Sequence, residues 1–436
     1  MAIAAPALSG ALADIVGRAH VSTEPAVLDT ASVDGVRPRW IARAGSADDV
    51  SRLLALASSE RLAVAPRGSG SSVALGNPPR RLDLVLDLSR LVGVTDYVPA
   101  DMVASVEAGT ALDALQARLS REGQRLALDP VRGRARTVGG VLATHASGPL
   151  RFRYGTGRDL LLGVRFVQAD GTITWGGSRV VKSVTGYDVP KLLVGSLGTL
   201  GVIVGATLRL HPTPPATGSW LCAFDSAAAT RNALAVLLAS PIEPERVAML
   251  NGVALRAGGW ASEGPALLVG VGSVEEAVRT QGAALADSVR REGGRIEHVP
   301  SAGWARLDSA LDAPVVVRIA GQVRRAVDWL RRAEDLASRA RLEMACVGQA
   351  GNGVLHVALH GVTSGPALEQ GMLGPLRQEL GDEGGSAIVE RAPHELKADL
   401  DVWGPVPAES LAIMARLKRE FDPEGVLNPG RFAGGL

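Results

Sequence analysis

Apolar residues along this chain recur in two periods, one helical and one of alternating strand type, and the two follow each other. After a short helical start with Leu12, Ile15 and Val16 on one face, residues 39–42 read as a brief strand. Ser46 is placed to cap the next helix, with Asp49 three residues on at its positive end, and Val50, Leu53, Leu54 and Leu56 carry the helical period. A strand over residues 62–65 follows and runs straight into Pro66-Arg67-Gly68-Ser69-Gly70-Ser71-Ser72. A strand–helix–strand unit that feeds a Gly/Ser loop is a candidate anion cradle.

Residues 84–88 and 102–107 read as further strands, and residues 112–119 as a helix that runs out at Gly123. Thr137-Val138-Gly139-Gly140 opens a helix of small residues ending near Gly148. Residues 160–168 form a strand, and Asp170-Gly171 turns it into Ile173-Thr174-Trp175. The glycine-punctuated apolar run 192–210 predicts a tight turn entering a buried strand. His211-Pro212-Thr213-Pro214-Pro215 then breaks regular structure, which places a domain boundary there. From about residue 218 to 386, helices over 227–238, 274–291 and 323–341 alternate with strands over 267–271, 315–319 and 354–359. That pattern predicts an α+β layer on an antiparallel sheet. A last helix over 409–421 leads to Asp422-Pro423 and Asn428-Pro429-Gly430.

A chain of 436 residues suggests roughly two to three domains. Lys+Arg 46 against Asp+Glu 45 leaves a formal net charge of +1, so there is no basic field for nucleic acid or an anionic membrane. An aromatic fraction of 3% is too sparse for a base-stacking surface. Cys222 and Cys346 are the only cysteines; they suit a reducing compartment and buried thiols, and cannot build a zinc or iron–sulfur site alone. Residues 1–20 lack a basic segment ahead of their apolar stretch, and no apolar run reaches the roughly 18 residues of a membrane span. A cytoplasmic protein is expected, membrane-peripheral only through partners.

Glycines at 68 and 70 let backbone N–H groups approach a phosphate, and the flanking serines add donors. No Gly-Lys-Ser/Thr follows, so the loop is not a P-loop, and it lacks the spacing of a GxGxxG turn. Taken alone it could be a surface turn. Two further stretches change that. Residues 137–148 put hydroxyls and glycines at a helix start, and Val181-Lys182-Ser183-Val184-Thr185-Gly186-Tyr187-Asp188 runs on to Gly195-Ser196-Leu197-Gly198-Thr199-Leu200-Gly201-Val202-Ile203.

Together these motifs resemble the PCMH-type FAD-binding domain of the vanillyl-alcohol oxidase superfamily. Within it, the chain is similar to the FAD-binding subunit of bacterial glycolate oxidase, beside the FAD-linked D-lactate dehydrogenases. The resemblance covers about residues 38–213 and the segment 421–432. It implies an α+β fold: a PCMH-type FAD-binding domain of two subdomains over 1–213, a second α+β cap domain on an antiparallel sheet over 214–390, and a C-terminal helix and returning segment over 391–436. Pro66, Arg67, Gly68, Ser69, Gly70, Ser71 and Ser72 would wrap the FAD pyrophosphate. Asp129 would lie at the approach to the next cofactor turn. Thr137, Gly139, Gly140, Thr144 and Ser147 would line the pyrophosphate and isoalloxazine side, with His145 where many relatives have Asn. Gly198, Thr199, Val202 and Ile203 would meet the adenine half, and Asn428 would return near the ring. The first loop offers only serines where some relatives attach flavin covalently, so non-covalent FAD is implied.

The resemblance breaks at the catalytic end. Relatives often carry His-x-Gly-Asp-Gly-Asn-Leu-His and a later Glu-His-Gly, whose imidazoles hold a divalent metal. Here the first stretch reads Gln349-Ala350-Gly351-Asn352-Gly353-Val354-Leu355-His356 and the second Glu390-Arg391-Ala392-Pro393. Gln and Arg do not replace imidazole ligands, so no metal site is expected. His356 and His360, four apart on a strand, could both face a site or be ordinary buried histidines. Arg391 could clamp a substrate carboxylate or pair with Asp399 at the surface. The resemblance implies a subunit of a glycolate oxidase complex that makes glyoxylate from glycolate, with a second FAD-linked subunit and an iron–sulfur subunit as partners. A self-sufficient FAD-dependent 2-hydroxy-acid dehydrogenase using His356 and Arg391, or a non-catalytic flavin-holding assembly subunit, stand as alternatives.

Overall fold

A computed structural model describes residues 5–131, 135–178, 186–262 and 264–436. Among these, three main sheets form. In the first, the parallel strands Trp40–Arg43, Leu84–Asp87 and Val64–Arg67 lie side by side, with the short strand Val21–Ser22 antiparallel at one edge. Leu84, Val85 and Leu86 are all buried, as expected of a parallel strand covered on both faces. One cover is the helix Ala47–Ser59. Ser46 Oγ accepts the Asp49 N–H at 3.0 Å while Asp49 Oδ2 accepts the Gly45 N–H at 2.8 Å, and Val50, Leu53, Leu54 and Ala57 go into the core.

The second sheet is five antiparallel strands in the order Val94–Val98, Val103–Glu107, Val202–Arg209, Leu161–Val167 and Ile173–Gly177. Its last pair is the hairpin that Asp170-Gly171 announced. The third is an eight-stranded antiparallel sheet running from Ala216–Ala223 to Ser386–Arg391 in sequence, with apolar clusters on both faces. An α+β fold whose second part is built on an antiparallel sheet is thus the observed architecture.

Three sequence expectations shift. The strand expected at 62–65 is Val64–Arg67, two residues on, because residues 61–63 finish the turn out of the helix. His211–Pro212 is not a break: it pairs with Gln124–Arg125, and irregular backbone begins only after it. The return to the first domain starts later than 391, since Ala392, Leu400 and Val402 belong to the cap core. No helix among the described residues is long and apolar enough to cross a membrane.

The C-terminal return is organised by one carboxylate. Asp422, at the end of the helix Ala408–Phe421, accepts the N–H groups of Val426 (2.9 Å) and Leu427 (2.8 Å) and the Lys418 ammonium (2.5 Å). The turn so formed lays residues 426–428 beside the strand Val64–Arg67, with reciprocal bonds of 2.8 Å from Val64 N–H to Val426 O and from Asn428 N–H to Val64 O. The Asp422 side chain has no exposure and that of Lys418 only 12%. Asp422→Ala is therefore expected to cost about 3 kcal/mol, because it leaves two backbone donors unpaired and a buried ammonium with only the Thr199 and Leu427 carbonyls and no counter-charge. Urea unfolding measures this; a loss below about 1 kcal/mol, the size of an ordinary substitution, would show that the turn holds without the carboxylate.

Candidate cofactor and substrate site

The loop after Val64–Arg67 is squeezed between two other segments. A Cβ on Gly68 would stand 2.3 Å from Thr137 Oγ1, and one on Gly139 would stand 2.7 Å from the Ala108 Cβ, so neither position has room for a side chain. Thr137 caps the helix Val138–Thr144 by accepting the Gly140 N–H at 3.2 Å. Across the gap, Asn428 sits at φ 45° and donates from Nδ2 to the Leu197 carbonyl at 2.6 Å. Its Oδ1 is buried without a hydrogen-bond partner. These segments enclose a groove of about 100 Å³ lined by residues 66–72, Thr137, Gly140, Thr144, Leu197, Asn428 and Arg431. It continues into a narrower space of about 60 Å³ that adds Gly139, Gly198, Val202 and Ile203.

A second cavity of about 230 Å³ opens where the cap sheet faces this loop, and Ser71, Ser72 and Thr144 line both spaces. Its cap wall comes from neighbouring strands: Val316, Arg318 and Ala320 of Val315–Ala320, and Val354 and His356 of Val354–His360, in register with Arg318 opposite His356. Adjacent residues of a strand normally point to opposite faces, yet Glu390 and Arg391 both line the cavity. The reason is a bulge: Val316 pairs with Arg391 and Val317 with Val389, leaving Glu390 as the extra residue. Glu390 Oε1 meets Arg318 Nε at 2.9 Å and its Oε2 meets His356 Nδ1 at 3.0 Å. Burial acts to raise the Glu390 carboxyl, but His356, Arg318 and Arg136 together hold it down at about 2. The other ring nitrogen of His356, Nε2, is buried with no partner.

The comparisons with known proteins bear on the groove first. Residues 38–177 match the family described as FAD binding domain, and residues 406–432 match the C-terminal domain of FAD linked oxidases. This is a PCMH-type FAD-binding fold. The chain is 26% identical over 409 residues to "Glycolate oxidase subunit GlcD" of Bacillus subtilis, covering 88% of this chain and 86% of that protein. It is 34% identical over 160 residues to "Glycolate oxidase subunit GlcE" of Escherichia coli, covering 36% of this chain and 45% of that one. The structure of p-cresol methylhydroxylase with substrate bound superposes with a TM-score of 0.77 at 15% identity, over 98% of this chain and 96% of that one. The expected likeness to the FAD-binding subunit, GlcE, is therefore confined to a stretch of the chain, whereas the likeness to GlcD runs through most of it.

FAD is the cofactor, and the groove suits it: a Gly/Ser loop whose amides can meet the pyrophosphate, and an unused acceptor on Asn428 for a flavin N–H. Among the described residues nothing points to a covalent link. Cys222 and Cys346 are buried in the cap core, where burial pushes both thiols up. His145 Nε2 is taken by Thr156 Oγ1 at 3.0 Å, and burial with the nearby arginines Arg151, Arg318 and Arg158 keeps the imidazole below its ordinary value.

Of the residues singled out in the sequence, Pro66 to Ser72, Thr137, Gly139, Gly140, Thr144, Gly198, Val202, Ile203 and Asn428 line the groove. His145, Ser147, His356 and Arg391 line the second cavity. Asp129 and Thr199 line neither. Asp129 Oδ1 accepts the Leu150 N–H at 2.9 Å, which fixes the turn ahead of Arg151, and the Thr199 hydroxyl donates to Ser196 O at 2.7 Å. His360 is exposed at its strand end, so the pair of histidines does not act as a pair. Residues 181–185 lie outside the described residues. Sequence reasoning missed Arg136, Arg151, Arg318 and Arg431; in a chain whose cations are nearly all arginine, nothing marks those four. Gly68→Ala is expected to weaken FAD binding roughly tenfold or more by forcing the loop off Thr137. The ratio of visible flavin absorbance to protein absorbance, with a reconstitution titration, reads the effect; wild-type affinity would mean that the loop yields elsewhere.

Proposed function

We propose that this flavoprotein oxidises a 2-hydroxy acid at the second cavity, with His356 taking the hydroxyl proton and Arg391 holding the carboxylate. The observation that carries the reading is the placement of His356, with Nδ1 on Glu390 Oε2 at 3.0 Å and Nε2 without a partner. An ionised Glu390 at Nδ1 selects the tautomer with its proton there, which leaves a lone pair on the unpartnered Nε2. An imidazole so fixed is a general base. Arg391 donates from Nη2 to Leu311 O at 2.7 Å, not to Asp399, and its Nε is buried without a partner, free for a carboxylate oxygen. Bound FAD supplies the two-electron acceptor for the substrate C–H.

The arrangement supports chemistry without a divalent metal. Gln349, at the place of a ligating imidazole in relatives, is buried and donates to Ser147 O at 3.3 Å. Among the described residues no group of three His, Cys, Asp or Glu side chains is placed to hold an ion. Arg318 and Arg391 supply the positive charge instead, fixed by the protein and needing no ligand exchange.

A second reading, a subunit of a glycolate oxidase complex, draws support from the likeness to the GlcD and GlcE subunits. In that reading electrons pass from this chain to a second FAD-linked subunit and an iron–sulfur subunit, since two buried cysteines cannot hold a cluster here. The two readings separate on whether the holoprotein is reduced by substrate alone.

His356→Ala is expected to slow anaerobic flavin reduction by glycolate or D-lactate about a hundredfold or more, with bound FAD unchanged. Reduction at the wild-type rate would remove His356 from the proton transfer. Glu390→Gln is expected to slow the same step about tenfold through loss of the fixed tautomer. Because Glu390 titrates at about 2, any acid limb of the wild-type rate above about pH 4 belongs to another group. Stability follows the same sign: the Glu390 contribution is complete above its unfolded value and is lost only as pH falls toward 2.

A further inference from the structure

We infer that Arg151 receives a second anionic group, so that the preferred substrates of this site are 2-hydroxy acids with two anionic groups rather than one. The inference rests on the hydroxy-acid reading above and extends it to the charge of the substrate.

Among the described residues lining the cavity, Glu390 is the one carboxylate, against four arginines. Three of the four have an assignment. Arg318 is held by Glu390 at 2.9 Å, Arg136 donates to Ser72 Oγ at 2.8 Å on the cofactor side, and Arg391 is placed for the first carboxylate. Arg151 begins a short helix of the FAD domain, lines the cavity and is only partly exposed. Asp159, the carboxylate that acts on Arg151, is engaged by the Thr156 N–H at 2.7 Å and the Thr156 hydroxyl at 2.9 Å. Burial and neighbouring Arg318 both weigh against the Arg151 charge, and Asp159 offsets this from outside the cavity. A half-buried guanidinium beside another is unfavourable unless an anion joins them. That anion is not the FAD pyrophosphate, whose groove does not include Arg151. A glycolate or lactate held on Arg391 brings one carboxylate and leaves Arg151 unmatched. A hydroxydicarboxylate or a phosphorylated hydroxy acid matches both.

The test uses the FAD-loaded full chain. Anaerobic flavin reduction is followed with both enantiomers of lactate, malate, 2-hydroxyglutarate and 3-phosphoglycerate; the last separates a phosphate from a carboxylate as the second group. At least one dianionic acid should show a KM lower than lactate by about tenfold to a hundredfold, the range of a charged hydrogen-bonded pair. Arg151→Met should collapse that ratio and Arg151→Lys should restore part of it. A monoanion preferred over every dianion, or a ratio unmoved by Arg151→Met, overturns the inference while leaving hydroxy-acid oxidation intact. If no acid reduces the flavin, the hydroxy-acid reading fails, and charge preference is then read from perturbation of the flavin spectrum by succinate against propionate. Tighter binding of succinate that Arg151→Met abolishes supports the anion site, and equal binding of the two overturns it.

Discussion

The whole site depends on how the cap is clamped over the FAD-binding domain, and that clamp is a set of buried charges. Glu245, on the cap side, has a side-chain exposure of 1%. It accepts from Arg125 at 2.5 Å and from the Tyr154 hydroxyl at 3.1 Å, both in the FAD-binding domain. Its neighbour Arg246 reaches toward Asp129 at 4.0 Å while stacking on Trp304 at 4.3 Å. On the far side of the cavity, Lys397 places a fully buried ammonium on Asp34 at 2.9 Å and on the carbonyls of Ala74 and Gly76, just past the cofactor loop. Breaking a buried pair leaves a stranded charge, so only one docking of the two layers satisfies all of these groups.

Within that clamp, a single extra residue in an edge strand brings two charged side chains to one cavity. Without the bulge at Glu390, either Glu390 or Arg391 would point away from the cavity. With it, the carboxylate orients His356 and the guanidinium faces the same space. A metal centre gathers charge by drawing several ligands to one ion. Here positive charge comes from side chains anchored on separate strands and on a helix of the other domain. The consequence is a cavity whose positive charge is permanent.

The cofactor half was the more legible. The elements that helical and alternating periods announced mostly fell within a residue or two of their places, because a buried face imposes its period on the chain whatever it packs against. Of the eight cap strands, only Ala266–Ser273, Val315–Ala320 and Val354–His360 were among them. Ser46, Thr137 and Asp170-Gly171 did locally what their side chains and backbone preferences require. Gly68, Gly70, Gly139 and Gly198 marked the groove because neighbouring side chains crowd the space a Cβ would take, and because Gly70 and Gly198 sit at positive φ. His356 and Arg391 stood out through the broken metal pattern around them.

Other features had no local signature. Asp129 sits in a cofactor-like stretch but hydrogen-bonds the turn before Arg151, since which group a carboxylate meets depends on the segment folded against it. His211–Pro212 joined a strand pair because Gln124–Arg125, far earlier in the chain, supplied the partner. Arg151, Arg318 and Arg136 look like any other arginine until two domains and three strands bring them to one cavity. Periods, caps and tight turns are short-range physics and can be read from neighbours in the chain. Charge pairing across a domain seam, and the strand register that aims a side chain, are long-range and exist only once the layers are packed.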